Sequence, residues 1–251
     1  MAISSKLSLH RLIYLLFFLA IALLAVDLLN FFLKLVPFHS LRDWIDITRE
    51  ANLPTVLSSG LAMAAALAAY LNRLQTRDQP GLSRVWLSMA LLLLFIGLDD
   101  ASQIHERLGT WFGHLAGRYA GDPWWNRLHH FKSYYWLVTV GPVFALAGIL
   151  TGGLLLRDFG PSLPLLLFLA GMGCYAEAMA LDYLDGRWDY AEAMALTGLS
   201  HGHLEHLVRA VEEFIEMLGP ISLLGAFLEQ ARRRSLRQGD DELLFTLKLT
   251  A

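Results

Sequence analysis

The chain has 251 residues, of which 55% are hydrophobic and only 17% charged, and a mean hydropathy of +0.45. Soluble domains carry roughly 25% charged residues, so a water-solvated globule is excluded, and a net charge of −3 gives no basic surface for nucleic acid. The single cysteine, Cys174, excludes an intrachain disulfide and a cysteine-rich metal site.

The apolar residues fall into six blocks, about 12–36, 54–74, 85–105, 134–156, 163–184 and 205–229. Each approaches the ~20 residues a helix needs to cross about 30 Å of hydrocarbon. The sequence therefore predicts an all-α, polytopic membrane protein, with one six-span domain over 1–237 and a polar cytoplasmic tail over 238–251. The first block follows Lys6 and Arg11 as a signal peptide would. It runs on for more than twenty residues without an A-x-A-like cleavage site, so it reads as an uncleaved span.

Between the first and second blocks, Asp43-Trp44-Ile45 and Arg49-Glu50 read as an amphipathic interfacial segment. Pro54 then sits near the start of the second span, where its missing N–H costs little. Ser58, Ser59, Gly60 and a run of alanines in that span, with Gly171, Gly173, Ala176, Ala178 and Ala180 in the fifth, favour close helix packing. Arg73, Arg77 and Arg84 follow the second span, Arg157 the fourth, and Arg232, Arg233, Arg234 and Arg237 the sixth. By the positive-inside rule both termini face the cytoplasm. Segments 37–53, 107–133 and 186–204 then lie outside. Trp111, Trp124, Trp125, Tyr134, Tyr135 and Trp136 form an outer interfacial belt, and 111–135 reads as a re-entrant or lid-like cap.

Ionisable residues inside spans mark functional sites by default. At about 1.5 Å of rise per residue, Asp99 lies roughly 21 Å up the third span. Asp27, Glu177 and Glu212 reach the same level on three others, and Ser58 lies close to it. Taking the third span as one helix, Asp99, Ser102, Gln103 and Glu106 share a face with His105 on its flank. On the sixth, Glu205, Arg209, Glu212 and Glu216 form a stripe with His206 and Glu213 beside it. The two spans are antiparallel, so His105 and Glu106 are expected to face Glu205 and His206, and Asp99 and Asp100 to face Glu212 and Glu213.

Seven carboxylates (Asp27, Asp99, Asp100, Glu177, Glu212, Glu213 and Glu216) then share the outer half with Arg209 as their one permanent cation. Like charges in low dielectric cannot all stay ionised. Either protons or a divalent metal must supply positive charge. Eight of nine histidines fall on the outer side, which favours zinc, iron or manganese over calcium or magnesium. The candidate ligands are Asp99, His105, Glu106, Glu177, Glu205, His206, Glu212 and Glu216. Asp100, Glu213 and Ser58 are the catalytic candidates, and Arg209 is the counter-ion. A structural ion-pair network anchored on Arg209 is the alternative use of the same groups. Asp182 and Asp185 read as helix caps, and His129, His130, His201 and His203 as loop histidines.

Glu50-Ala51-Asn52-Leu53-Pro54-Thr55 leading to Ser58-Ser59, Leu98-Asp99-Asp100 with Gln103-Ile104-His105-Glu106, and Glu212-Glu213-Phe214-Ile215-Glu216-Met217-Leu218-Gly219 resemble a group of uncharacterised bacterial multi-span membrane proteins. That resemblance covers most of spans two to six and implies a multi-pass protein of the bacterial inner membrane; the orientation set by the positive-inside rule puts its site on the extracytoplasmic side. A weaker similarity, through Glu50, Ser58, Asp99 and His105, is to the alkaline ceramidase and adiponectin-receptor superfamily of zinc-dependent membrane hydrolases. That family's H-x-x-x-H is absent from the last span, where His203-x-x-His206 stands instead. The expected function is a metal-dependent hydrolase acting on a membrane lipid or other amphiphile. The alternatives are a proton- or cation-coupled transporter using the same carboxylates, and a non-catalytic, metal-stabilised subunit or sensor.

Overall fold

The computed structural model describes residues 9–238 except 50, 132, 186 and 188. Lys6, Glu50 and the tail from 239 lie outside the described residues, among which there is no strand. The helices in chain order are α1 (Leu9–Leu33), α2 (His39–Ile45), α3 (Leu53–Gln75), α4 (Pro80–Ser102), α5 (Ile104–Arg118) and α6 (Pro123–His129). They continue as α7 (Trp136–Thr139), α8 (Gly141–Phe159), α9 (Leu163–Asp185), α10 (Ala191–Thr197) and α11 (His201–Gln238). Five of these, α1, α3, α4, α8 and α9, are long and apolar enough to cross a membrane. Local chemistry sets several of the boundaries. Asn52 caps α3 by accepting the Thr55 N–H at 3.0 Å, and Pro54 occupies its first turn.

Two boundaries differ from the sequence expectation. The third block does not run unbroken to His105: α4 ends at Ser102, and Gln103 takes the left-handed conformation (φ 54°) before α5 begins. The shared helical face predicted for Asp99 and Glu106 therefore does not exist. The fourth block starts α8 at Gly141 rather than near 134, because Pro142 fits only the first turn of a helix. The preceding residues form the separate short α7. The segment 107–133 is largely helical, folded as α5 and α6.

The helix that organises the bundle is α11. From Met217 to Ala231 nearly every residue is buried, and it packs against α9, α3 and α1. Gly171 lets α9 approach closely, since a Cβ there would meet Leu223 at 2.7 Å and the Gly219 carbonyl at 2.9 Å. By contrast α1 touches the bundle along one stripe, Ile13, Ala20, Asp27 and Asn30, spaced by sevens and a three. Its other faces expose Tyr14, Leu15, Phe18 and Ile21. Leu91, Leu94, Ile149, Leu150 and Leu166 are likewise exposed on α4, α8 and α9. An apolar exterior around a core that holds the polar groups is what lipid as a solvent selects.

The two ends of the bundle differ in charge. At one end α3, α8 and α11 meet in a polar network. Asn72 donates to the Phe227 carbonyl at 2.8 Å, Gln75 to Ser235 at 2.8 Å, and Arg234 to Asn72 at 2.6 Å and to Asp158. At the other end His206 of α11 meets Asp27 of α1. So α11 runs the length of the bundle, from an acidic end to an arginine end. Between them Trp86, Phe159, Phe168 and Phe227 pack ring to ring, with Trp86 and Phe227 fully buried.

Candidate functional site

Toward the acidic end, α3, α4, α8, α9 and α11 enclose a cavity of about 720 Å³. Its lower wall is apolar, with Met89, Leu93, Ile96, Phe144, Met172 and Leu223. Ile149 of α8 and Leu169 of α9 belong to the wall and are also exposed, so the cavity opens sideways between those helices. Its upper wall is acidic: Asp99, Asp100, Glu106, Asp182, Glu212, Glu213 and Glu216, with His105 and Arg209. The polar wall and the apolar wall belong to one space.

Asp99 links the two helices that meet at Gln103. One carboxylate oxygen accepts the backbone N–H of His105 at 2.8 Å, capping the first turn of α5, and the other lies 2.8 Å from His105 Nδ1. Asp99 is buried at 5% exposure, whereas the His105 side chain keeps 24%. With Nδ1 engaged, Nε2 is the nitrogen left for other chemistry. Burial alone would lower the His105 pKa. The hydrogen bond and charge of Asp99, helped by Glu106 and Glu216, outweigh it and raise the pKa above the usual histidine value.

Three further side-chain pairs define the wall. Ser58 of α3 lies beside Asp100, Trp136 beside Asp182, and Asp182 beside Glu212 across α9 and α11. Arg209 sits at the mouth, 3.0 Å from Glu205 and 3.4 Å from the Tyr134 hydroxyl. Its Nε is 3.5 Å from Asp185 without hydrogen-bond geometry. Tyr134 in turn donates to Asp185 at 3.0 Å.

The predicted residues thus separate into two groups. Asp99, Asp100, His105, Glu106, Arg209, Glu212, Glu213, Glu216 and Ser58 all line the cavity. Glu177, Glu205 and His206 do not. Glu177 lies on an exposed face of α9. Glu205 pairs with Arg209 at the rim. His206 does not face His105: it is buried on the α1 side, 2.8 Å from Asp27 and stacked on Phe31 at 3.6 Å. Arg209 serves Glu205 and Asp185 at the mouth rather than the deeper glutamates.

Sequence reasoning placed Asp182 as a helix cap and did not consider Tyr175 or Thr48. The signal for Asp182 is helical spacing. Met172, Tyr175, Ala176, Met179 and Asp182 make one stripe facing the cavity, and Glu177 lies off it. Among the described residues, the one group of three His, Asp or Glu ligand atoms within 4.8 Å of one another is Asp27, Asp46 and His206. The cavity residues share a wall without forming so tight a cluster.

A family model described as a domain of unknown function, DUF8692, matches residues 15–231. The chain belongs to the DUF8692 family. The match spans all eleven helices except the start of α1 and the last turns of α11, so the cavity lies wholly within it. Neither the curated proteins nor the solved structures contain a match to this chain.

Proposed function

We propose that this DUF8692 protein is a six-span membrane enzyme that holds a divalent metal in its acidic cavity and hydrolyses a lipid or other amphiphile. The observation that carries the proposal is the shape and polarity of the cavity. One end offers carboxylates and an imidazole, the other an apolar wall with a lateral opening between α8 and α9. An amphiphile fits such a space with its head among the acids and its chain toward lipid. On this reading α11 is the sixth span. Its glutamates are tolerated because it is surrounded by other helices, and only lipid-facing surface must be apolar. The arginine end then faces the cytoplasm by the positive-inside rule, and the cavity opens toward the extracytoplasmic side of the bacterial inner membrane.

The donor set suits a borderline metal such as zinc, iron or manganese. A metal-binding histidine normally has its second nitrogen on a carboxylate, the relation that Asp99 has to His105. His105 with Glu106, Glu212 and Glu216 are the proposed ligands. A bound metal would lower the pKa of a coordinated water and polarise the scissile group. Asp182, next to Glu212 but outside the proposed ligand set, is placed to accept and return a proton. Ser58 lies beside Asp100, which with Glu213 is the proposed general base. Trp86, Phe159, Phe168 and Phe227 pack ring to ring between the cavity and the arginine end without lining the cavity, and this dry layer supports an enzyme over a transporter with a through-path.

Purified protein loaded in turn with zinc, iron(II) and manganese and offered single- and two-chain amphiphiles with ester, amide or phosphodiester bonds should release product with at least one pairing. His105→Ala and Glu212→Gln should each cut that rate by roughly 10²-fold or more. No turnover with any pairing, or equal rates in both variants, would remove the proposal.

A further inference from the structure

A second cluster lies outside the cavity, where the segment after α2 folds back on α1 and α11. Asp27 is 1% exposed and His206 is 8% exposed. Asp27 Oδ2 lies 2.8 Å from His206 Nε2, and a carboxylate oxygen of Asp46 completes a trio of ligand atoms within 4.8 Å of one another. Each group is held in place from behind. The Ile47 N–H donates to Asp27 Oδ1 at 3.2 Å, and Thr48 donates to Asp46 Oδ1 from its N–H at 3.1 Å and its hydroxyl at 2.7 Å. The imidazole is clamped flat against Phe31. Fixed outer partners of this kind orient ligands in metal sites. The charges also leave room for a cation. Two carboxylates face one imidazole, and Arg49, 3.2 Å from Asp46, is shared with Asp43 at 2.8 Å.

We propose that Asp27, Asp46 and His206 form a second, structural metal site that takes a divalent first-row ion such as zinc and ties the α2 segment to α1 and α11. Two carboxylates and an imidazole make a zinc-type donor set. Ligands bonded to tetrahedral zinc stand roughly 3.4 Å apart. The Asp27–His206 pair, 2.8 Å apart, therefore has to spread by about 0.6 Å and give up the proton between them on binding. Asp46, already within 4.8 Å of both, settles to the same spacing. None of the site's three residues lines the cavity, although Thr48, which donates to Asp46, does. The site also gives Asp27 a role, since a carboxylate buried in an apolar helix needs a positive partner.

The test is zinc titration of the chelator-stripped full chain, reading bound zinc and melting temperature together. Wild type should bind zinc and melt higher with it. Asp46→Asn, at the most accessible of the three positions, should weaken binding at this site by at least about tenfold and abolish most of the zinc-dependent rise. His206→Cys, which keeps a zinc ligand, should retain both. The zinc-edge absorption spectrum of a His105→Gln/Glu212→Gln protein, with the cavity ligands removed, should show one imidazole among oxygen ligands. The proposal is overturned if wild type shows no zinc-dependent rise, if Asp46→Asn leaves binding and melting unchanged, or if the cavity double variant binds no zinc. Failure of the cavity reading instead leaves the double variant indistinguishable from wild type in zinc bound.

Discussion

The pair formed by Asp99 and His105 is the point at which structure turns into chemistry. A carboxylate buried at the end of a transmembrane-length helix can be retained only if something nearby holds it, and here the next helix supplies both a backbone N–H and an imidazole. Since the pair raises the His105 pKa, the stabilisation it gives is complete below the ordinary histidine value of about 6.5 and fades as pH rises through the higher folded value. Replacing Asp99 with Asn removes the charge but keeps the shape. An NMR titration of the His105 ring should then show its pKa fall, and thermal melts between pH 6 and 9 should lose part of their decline at the alkaline end. An unchanged His105 titration in Asp99→Asn would show that Asp99 does not control it. At this scale the sequence was informative about which acids line the cavity. Asp99, Asp100, Glu212, Glu213 and Glu216 were legible because hydrocarbon penalises carboxylates. Partners were less legible: nothing in the pattern pairs Asp27 with His206, because the two are 179 positions apart.

Among the helices, the least legible feature is the break at Gln103. No glycine, proline or asparagine marks it, and Ile104 continues the apolar run, so periodicity alone extends α4 through His105. The left-handed turn is held locally, with Asp99 accepting the His105 N–H in the first turn of the helix that follows. Its consequence is that His105 and Glu106 enter the cavity from a helix of their own. The small-residue signal was easier to use. Gly171 predicted close packing and sits where α9 presses on α11. Gly171→Val should collide with Leu223 and the Gly219 carbonyl, destabilising the bundle by about 1–3 kcal/mol, read as a lower melting temperature in detergent. Gly173, whose Cβ would meet nothing within 4 Å, is the matched control, and Gly173→Ala should leave the melting temperature nearly unchanged. Equal effects at the two positions would contradict the packing described here.

Taken whole, the molecule puts its least hydrophobic long helix in the middle. Five helices are apolar enough to face lipid, and α11, with its glutamates and arginines, is enclosed by three of them. Composition announced the five directly. The central placement of α11 depends on contacts with α1, α3 and α9 that no single segment encodes. The same arrangement explains why acids from α4, α9 and α11 meet above an apolar wall: a central helix can turn a polar stripe inward at one level while its other faces pack dry. The most direct check is an anomalous diffraction map at the metal edge, from crystals of the full chain grown with zinc or manganese. A peak within roughly 2.0–2.2 Å of His105 Nε2 and of at least one carboxylate among Glu106, Glu212 and Glu216 is the predicted result. A cavity without a peak, or a peak confined to Asp27 and His206, would contradict it.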